Sequence, residues 1–446
     1  MTQPTAVVVG GGWAGLAAAL RLAERGVGVE LYEKRAILGG RAYSFRAREA
    51  GHAVDNGQHL LMGCYQATLR FLDRIGASDR VEVQPRLRVP FLHPERGRAV
   101  FQCAPAPSPL HLTLGALTYT HLSLTERLSL VLGGLRLAFR YRGGTMASVS
   151  EALREVGQGE NLRTCFWNPL AIAVLNELPD RASADLFAEV LRRVFFARAR
   201  ASRIIFPRVG LSDLCAEPAA RAIERAGGAI ETGSAVRELG IDDDQVTRVS
   251  FNSRPDRHPD VVVVALPPAA LAGILPAAVR SGDAFARLSK LESAPIVSVH
   301  FWFEERFPSP RMAGFLDGPI HWLFTPPMQP AGGRYVTLVT SGAHELVERS
   351  PAEVTAIARR ELERYLPLAR GRELADSLVV KEANATYAAT PKEQPHRPPA
   401  ETGIPNLFVA GDWTDTGLPA TLESAVVSGE RAADAAIRHL QHRQRV

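Results

Sequence analysis

Lysine is almost absent from this chain. Lys34, Lys290, Lys381 and Lys392 stand among 52 basic residues, and all the others are arginine. No basic tract is interleaved with aromatics and no nucleic-acid motif occurs, so a net charge of +5 does not point to nucleic acid. An anionic membrane surface is the better partner for such a chain. Cysteine is sparse too: Cys64, Cys103, Cys165 and Cys215 lie far apart with no paired spacing. They suit neither a zinc site nor a disulfide framework, and read as free thiols in a reducing compartment. No segment approaches the roughly 18 uninterrupted apolar residues of a membrane span. The first strand begins almost at Met1, which leaves no room for a signal peptide. The expectation is a cytoplasmic protein, at most peripheral on the inner face of the membrane.

The composition that remains is ordinary. With 446 residues, 46% hydrophobic and 22% charged, the chain can bury two cores. Its most informative stretch comes first. Ala6-Val7-Val8-Val9 reads as a buried strand, Leu16 to Arg25 as a helix stopped by Gly26, and Val27 to Glu33 as a second strand. Between strand and helix lies Gly-x-Gly-x-x-Gly at Gly10, Gly12 and Gly15. Gly10 permits the turn, Gly12 lets a pyrophosphate approach the backbone, and Gly15 lets helix and strand pack closely. Trp13 and Ala14 lie between the second and third glycines, and the helix N-terminus offers free N–H groups and a positive dipole end to the phosphates. Glu33, with Lys34 after it, follows Gly15 at close to the expected interval of about 20 residues and suits two ribose hydroxyls.

Three later stretches extend this site. Gly39-Gly40-Arg41 offers further backbone donors and a guanidinium for a diphosphate. Asp55-Asn56-Gly57-Gln58-His59, after an expected strand from Gly51 to Val54, reads either as a plain turn or as a loop lying flat against a ring system. Near the end, Asn406 to Asp412 is a strand ending in Gly411-Asp412, and Thr421 to Ile437 is a helix. The Asp412 carboxylate suits ribityl or ribose hydroxyls. The amides of Thr421 and Leu422 suit a flavin carbonyl, with the helix dipole favouring negative charge on the reduced ring.

Between these pieces the pattern changes. Residues 81–205 read as short strands followed by apolar helices, including one capped by Thr125 from Glu126 to about Phe139. Residues 268–395 hold the strand Ile296–Phe303, a Pro/Gly-rich stretch from Pro308 to Gly333, and a helix from Ala352. The fold class is therefore α/β. A Rossmann-like cofactor domain of residues 1–80, 206–267 and 396–446 is interleaved with an α+β substrate-binding cap of residues 81–205 and 268–395. Two cap stretches suit a membrane surface. Leu191 to Ile205 interleaves Phe195, Phe196 and aliphatics with Arg192, Arg193, Arg198 and Arg200, and Leu128 to Arg140 is apolar nearly all round. A solvated basic face and a buried core helix are the alternative readings.

Together these motifs resemble the amine oxidase/phytoene desaturase superfamily of FAD enzymes, over essentially the whole chain. Asp55 to Tyr65, Gly411-Asp412-Trp413-Thr414 and Pro419 to Ala425 are most similar to the squalene-associated FAD-dependent desaturases, whose members include hydroxysqualene dehydroxylases of squalene and hopanoid synthesis. The resemblance implies an FAD-dependent oxidoreductase acting on a hydrophobic isoprenoid, together with other squalene-pathway enzymes. It places Val236 at the adenine. Many amine oxidases carry a lysine in the strand matching Ile296–Phe303; here that strand has Ser298 and His300 and no lysine. Some hold FAD through a late cysteine, and no cysteine follows Cys215. The implied FAD is therefore non-covalent. For the proton that a departing hydroxyl needs, His59 is the first candidate, with His300, His321 and Tyr387 behind it. A histidine near its ordinary pKa of about 6.5 would serve. The alternatives are a polyene desaturase running the flavin in the opposite direction, and a non-enzymatic FAD-containing isoprenoid carrier or scaffold.

Overall fold

The computed structural model describes residues 3–46, 53–195, 197–325 and 334–444. Five parallel strands form one sheet, in the order Ala229–Glu231, Gly28–Tyr32, Thr5–Val9, Val261–Val264, Leu407–Val409. Parallel strands covered on both faces need apolar residues throughout. Val261 to Val264 supply this as an unbroken valine run without solvent exposure. The first helix, Trp13–Ala23, is nearly all alanine and leucine, and it packs against the last, Leu422–Arg443. A Cβ at Gly429 of the last helix would lie 2.1 Å from the carbonyl oxygen of Ala14, so glycine sets how closely the two approach.

The cap is built on a seven-stranded sheet. Its order is Leu374–Tyr387, Ser293–Phe303, Tyr335–Ser341, Trp322–Phe324, Met312–Phe315, Arg88–His93, Gly97–Gln102. All pairs are antiparallel except Met312–Phe315 with Arg88–His93. Strand alternation divides the work of Ser293–Phe303. Val297, Val299 and Phe301 bury against Val354, Ala358 and Leu362 of the helix Pro351–Tyr365, while Ser298, His300 and Trp302 lie on the other face.

Several expectations need correction. The long cap helix is Leu124–Arg140 and its cap is Ser123, not Thr125; Ser123 Oγ accepts from Glu126 N while the Glu126 carboxylate accepts from Ser123 N. The Pro/Gly-rich stretch contains the strands Met312–Phe315 and Trp322–Phe324, and residues 326–333 lie outside the described residues. Gly51 and His52 of the expected strand also lie outside; Ala53–Asp55 is the strand described. The proposed division between residues 205 and 206 falls inside the strand Ile204–Pro207. This strand pairs with Leu61–Met62 and Val81–Val83 in a small third sheet. Leu191 to Ile205 is divided, with Arg193, Arg198 and Arg200 exposed. Leu191, Val194, Ile204 and Ile205 are buried, and Arg192 turns inward to the carbonyls of Ala138 and Tyr141 at 2.9 and 2.6 Å. Phe196 lies outside the described residues.

Candidate active site

The carboxyl ends of the parallel strands carry the site, the usual place in open α/β sheets. Gly10 has φ +106°, and a Cβ there would lie 2.6 Å from Ala265 O. A Cβ at Gly15 would lie 1.9 Å from Gly10 O. Gly12 differs: a Cβ there would meet nothing nearer than Gly40 Cα at 3.6 Å. The space beside Gly12 is thus open to a ligand. The N–H of Leu16 makes the first bond of the helix, to Gly12 O at 2.9 Å. The N–H groups of Trp13, Ala14 and Gly15 precede it and have no partner within the helix. Gly39 and Gly40, both at positive φ, close over this loop, with Gly39 N donating to Gly11 O at 2.9 Å.

Glu33 is buried at the end of the second strand. Its carboxylate accepts from Gly11 N at 2.7 Å through one oxygen and from Arg35 N at 2.9 Å through the other. The acid that sequence assigns to a ribose therefore also pins the glycine loop. Glu33→Ala is expected to weaken flavin affinity by about 1.5–3 kcal/mol, the range for a charge-assisted hydrogen bond. Titration of apoprotein with flavin measures this, and an unchanged dissociation constant would remove Glu33 from the site. Lys34 is exposed beside it. Gly233 and Ser234 bond to the carbonyls of Arg35 and Glu33, so the turn leading to Val236 runs alongside the same acid.

Arg41 and Asp412, 371 residues apart, form an ion pair, and Arg41 also donates to Ala385 O at 2.8 Å. The Gly411-Asp412 turn is held from two sides. Gly411, at φ +148°, donates its N–H to Ser428 Oγ at 2.8 Å, and buried Arg397 donates to the carbonyls of Asp412, Trp413 and Thr414. Arg397 also lies 4.5 Å over the ring of Tyr387. Sequence reasoning missed Arg397; a lone arginine in a Pro-rich loop carries no motif. Tyr387 is a structural member of this group. Its hydroxyl donates to Leu418 O at 3.2 Å, and burial pushes its pKa up to about 12. Thr421 caps the last helix, accepting from Ser424 N at 3.2 Å. The first bond of that helix is Ala425 N to Thr421 O, so the amides of Leu422 and Glu423 are free of helical partners.

The loop from Asn56 to His59 joins these parts to the cap. Asn56 donates to Arg41 O at 2.8 Å, and a Cβ at Gly57 would lie 3.4 Å from Ser298 Oγ. Gln58 and His59 are partly exposed on this loop. Loss of water around the His59 ring, with the Arg41 charge added, pushes its pKa down to about 4. His300 is buried; Nδ1 lies 2.6 Å from the Tyr335 hydroxyl, and Nε2 has no hydrogen-bond partner among the described residues. Burial lowers His300 and His321 to about 4 as well. None of these three histidines keeps the expected value near 6.5; each is pushed down, which disfavours the charged ring as a ready store of a proton.

These shifts have a sign. In the unfolded chain a histidine titrates near 6.5, so between pH 6.5 and 4 the unfolded state binds protons that the folded state refuses. Stability is full above pH 6.5 and falls as pH drops toward 4, by on the order of 3 kcal/mol for His300 alone. Denaturant unfolding at pH 7 and pH 4.5 checks this, with His300→Phe expected to flatten the pH dependence. An unchanged slope in that variant would contradict the burial.

Beyond Thr421 lies a small, mainly apolar cavity, lined by Met62, Tyr65, Val174, Val190, Leu418 and Thr421 among others. Burial pushes the Tyr65 hydroxyl pKa upward. Glu423 also borders the cavity, its carboxylate accepting from Ala67 N and Thr68 N at 3.0 and 2.8 Å. The glycine cradle suits a diphosphate, the buried acids suit polyol hydroxyls, and the helix start beside an apolar cavity suits a planar redox ring. That combination defines a flavin-dependent oxidoreductase.

The chain belongs to the family described as flavin containing amine oxidoreductase, whose model matches residues 13–437. It is 30% identical over 442 residues to the hydroxysqualene dehydroxylase of Rhodopseudomonas palustris, covering 96% of this chain and 97% of that protein. It is 25% identical over 462 residues to the 15-cis-phytoene desaturase of Synechococcus elongatus, covering 98% and 97%. The solved structure of an oxidoreductase from Methanosarcina mazei matches with a TM-score of 0.74 at 18% identity, covering 95% of this chain and 98% of that one, and shows the same fold.

Proposed function

We propose that the protein holds FAD non-covalently and reductively dehydroxylates hydroxysqualene to squalene in squalene and hopanoid synthesis. The observation that carries this reading is the near full-length match to the R. palustris hydroxysqualene dehydroxylase. Two features of the chain support it. The cavity beside Thr421 is lined mainly by apolar side chains, as a hydrocarbon requires. The strand Ser293–Phe303 presents no lysine to the site, and Lys381 on the adjacent strand is turned away, donating to the carbonyls of Val347 and Arg349.

The residues divide the work. The N–H groups of Trp13, Ala14 and Gly15, with Gly12, Gly39 and Gly40, hold the diphosphate. Glu33, Arg41 and Asp412 hold the hydroxyl-bearing parts, with Val236 at the adenine. Gly57, Gln58, Thr421 and Leu422 hold the ring. When bound, reduced FAD would supply a hydride in place of the allylic hydroxyl and a proton to complete water, so that alcohol and reduced FAD balance against alkene, water and FAD. His59 acts on the leaving oxygen. A neutral imidazole both donates and accepts, so His59 relays a proton to the hydroxyl through one ring nitrogen while the other takes its replacement.

Anaerobic single turnover tests the reading. Reduced enzyme mixed with hydroxysqualene is expected to form squalene as the yellow flavin colour returns. Bleaching of oxidised enzyme by a polyene would favour a desaturase, in line with the phytoene desaturase match. No flavin redox change with either substrate would favour a carrier. Acid precipitation is expected to release all the colour, because no cysteine follows Cys215. Flavin retained in the pellet would contradict non-covalent binding.

A further inference from the structure

One stretch of the cap carries most of the exposed large apolar side chains. Among the described residues eleven large apolar side chains are exposed, and eight of them lie between Leu110 and Met146. Five belong to the helix Leu124–Arg140: Leu124, Leu128, Leu132, Leu135 and Phe139. At about 100° per residue they fall within roughly 80° of arc, a single stripe about 22 Å long. Leu124 is 66% exposed and Phe139 54%. The opposite face is packed: Leu130, Leu137 and Ala138 are buried, and a Cβ at Gly133 would lie 2.3 Å from the Gln158 side chain. Beside it the helix Leu110–Leu117 exposes Leu110 and Leu114. Arg127 fastens the two, donating to the carbonyls of Leu117 and Leu122 at 2.9 Å each.

Charge is as uneven as polarity. From Arg127 to Ser150 the chain has four arginines, Arg127, Arg136, Arg140 and Arg142, and no acid. Arg136, Arg140 and Arg142 are exposed at the carboxyl end of the stripe; Arg140 also meets Glu155 at 3.0 Å. Among the described residues no helix is long and apolar enough to cross a membrane. We infer that this face docks on an anionic lipid bilayer, with the leucine stripe lying in the plane of the interface and the arginines on the headgroups. A long apolar stripe bordered by arginine is the composition of an interfacial helix, and anionic headgroups supply counter-charge to a stretch that has four arginines and no acid of its own. A second copy of the chain, meeting this patch with the same patch, would bring Glu155, a carboxylate already paired with Arg140.

The location fits collection of a lipid, though the inference stands without the hydroxysqualene reading. Arg192 ties the end of the stripe helix to the helix Ala184–Phe195, and Val190 and Arg193 of that helix line the cavity beside Thr421. One helix therefore separates the docking face from the cavity.

The test is co-sedimentation of the flavin-loaded protein with vesicles of phosphatidylglycerol and phosphatidylcholine, with no isoprenoid present. Wild type is expected to bind, to prefer phosphatidylglycerol, and to be released in part by salt. Leu128→Ser/Leu132→Ser/Phe139→Ser should lower the partition coefficient by about tenfold or more. Arg136→Gln/Arg142→Gln should retain some binding but lose most of its lipid preference and salt sensitivity. Circular dichroism of both variants should match wild type, since the altered residues are exposed. Three outcomes would overturn the inference: no binding by wild type, both variants binding as wild type does, or a wild-type dimer that the triple variant splits while vesicle binding stays unchanged. Because no isoprenoid is present, failure of the hydroxysqualene reading leaves this result untouched.

Discussion

Gly12→Ala is expected to fold normally and to lose most of its flavin. Gly12 sits at φ −76° and ψ 176°, a conformation open to alanine, and its Cβ would find no protein atom nearer than 3.6 Å. The added methyl group would occupy the space through which a diphosphate reaches the backbone. Overpacking of this kind typically costs about 1–3 kcal/mol, or roughly fivefold to more than a hundredfold in affinity. Gly15→Ala should behave differently, because its Cβ would lie 1.9 Å from Gly10 O and press the helix off the strand. The first variant should thus keep the thermal midpoint of the apoprotein, and the second should lower it. Flavin-to-protein ratios and apoprotein melting curves separate the two. Full flavin occupancy in Gly12→Ala would show that no phosphate passes there.

His59→Ala is expected to slow squalene formation by about 10²–10⁴-fold, the usual loss when one proton-transferring group is removed. FAD should stay bound and reducible, since the glycine loops and Asp412 are untouched. The expected pH dependence is not that of a free histidine. With the ring held near pKa 4, activity should show no inflection near pH 6.5 belonging to His59. A rate within a few-fold of wild type would move the role elsewhere. Tyr65 is then the next group to replace, because it lines the cavity and its raised pKa keeps its proton.

The cofactor half of this protein was legible because each of its devices is local. Gly10, Gly12, Gly15 and Glu33 occupy one continuous stretch, so spacing alone places them together. The ion pair of Arg41 with Asp412 was less accessible: each residue was assigned to a cofactor, but nothing in sequence brings positions 371 apart into contact. The supporting groups were not legible at all. Arg397 holds the Gly411-Asp412 turn through three carbonyls, and Gly429 sets a helix contact at Ala14, yet neither sits in a recognisable pattern. The lowered pKa of His300 depends on burial by distant segments, and that of His59 also on the nearby Arg41 charge, neither of which residue type reports. Burial also separates the two stretches read as membrane-facing. In Leu191 to Ile205 the aliphatic residues Leu191, Val194, Ile204 and Ile205 face inward, whereas Leu128 to Arg140 lies along the exposed stripe of Leu124–Arg140.

The most direct test of the proposed chemistry is a single turnover of photoreduced enzyme with hydroxysqualene in deuterium oxide, without oxygen. The hydrogen delivered by a reduced flavin exchanges with solvent before transfer. The account predicts squalene carrying a single deuterium at the carbon that lost its hydroxyl, in a yield equal to the flavin reoxidised. Squalene formed without deuterium, or flavin left reduced in the presence of unchanged hydroxysqualene, would contradict it.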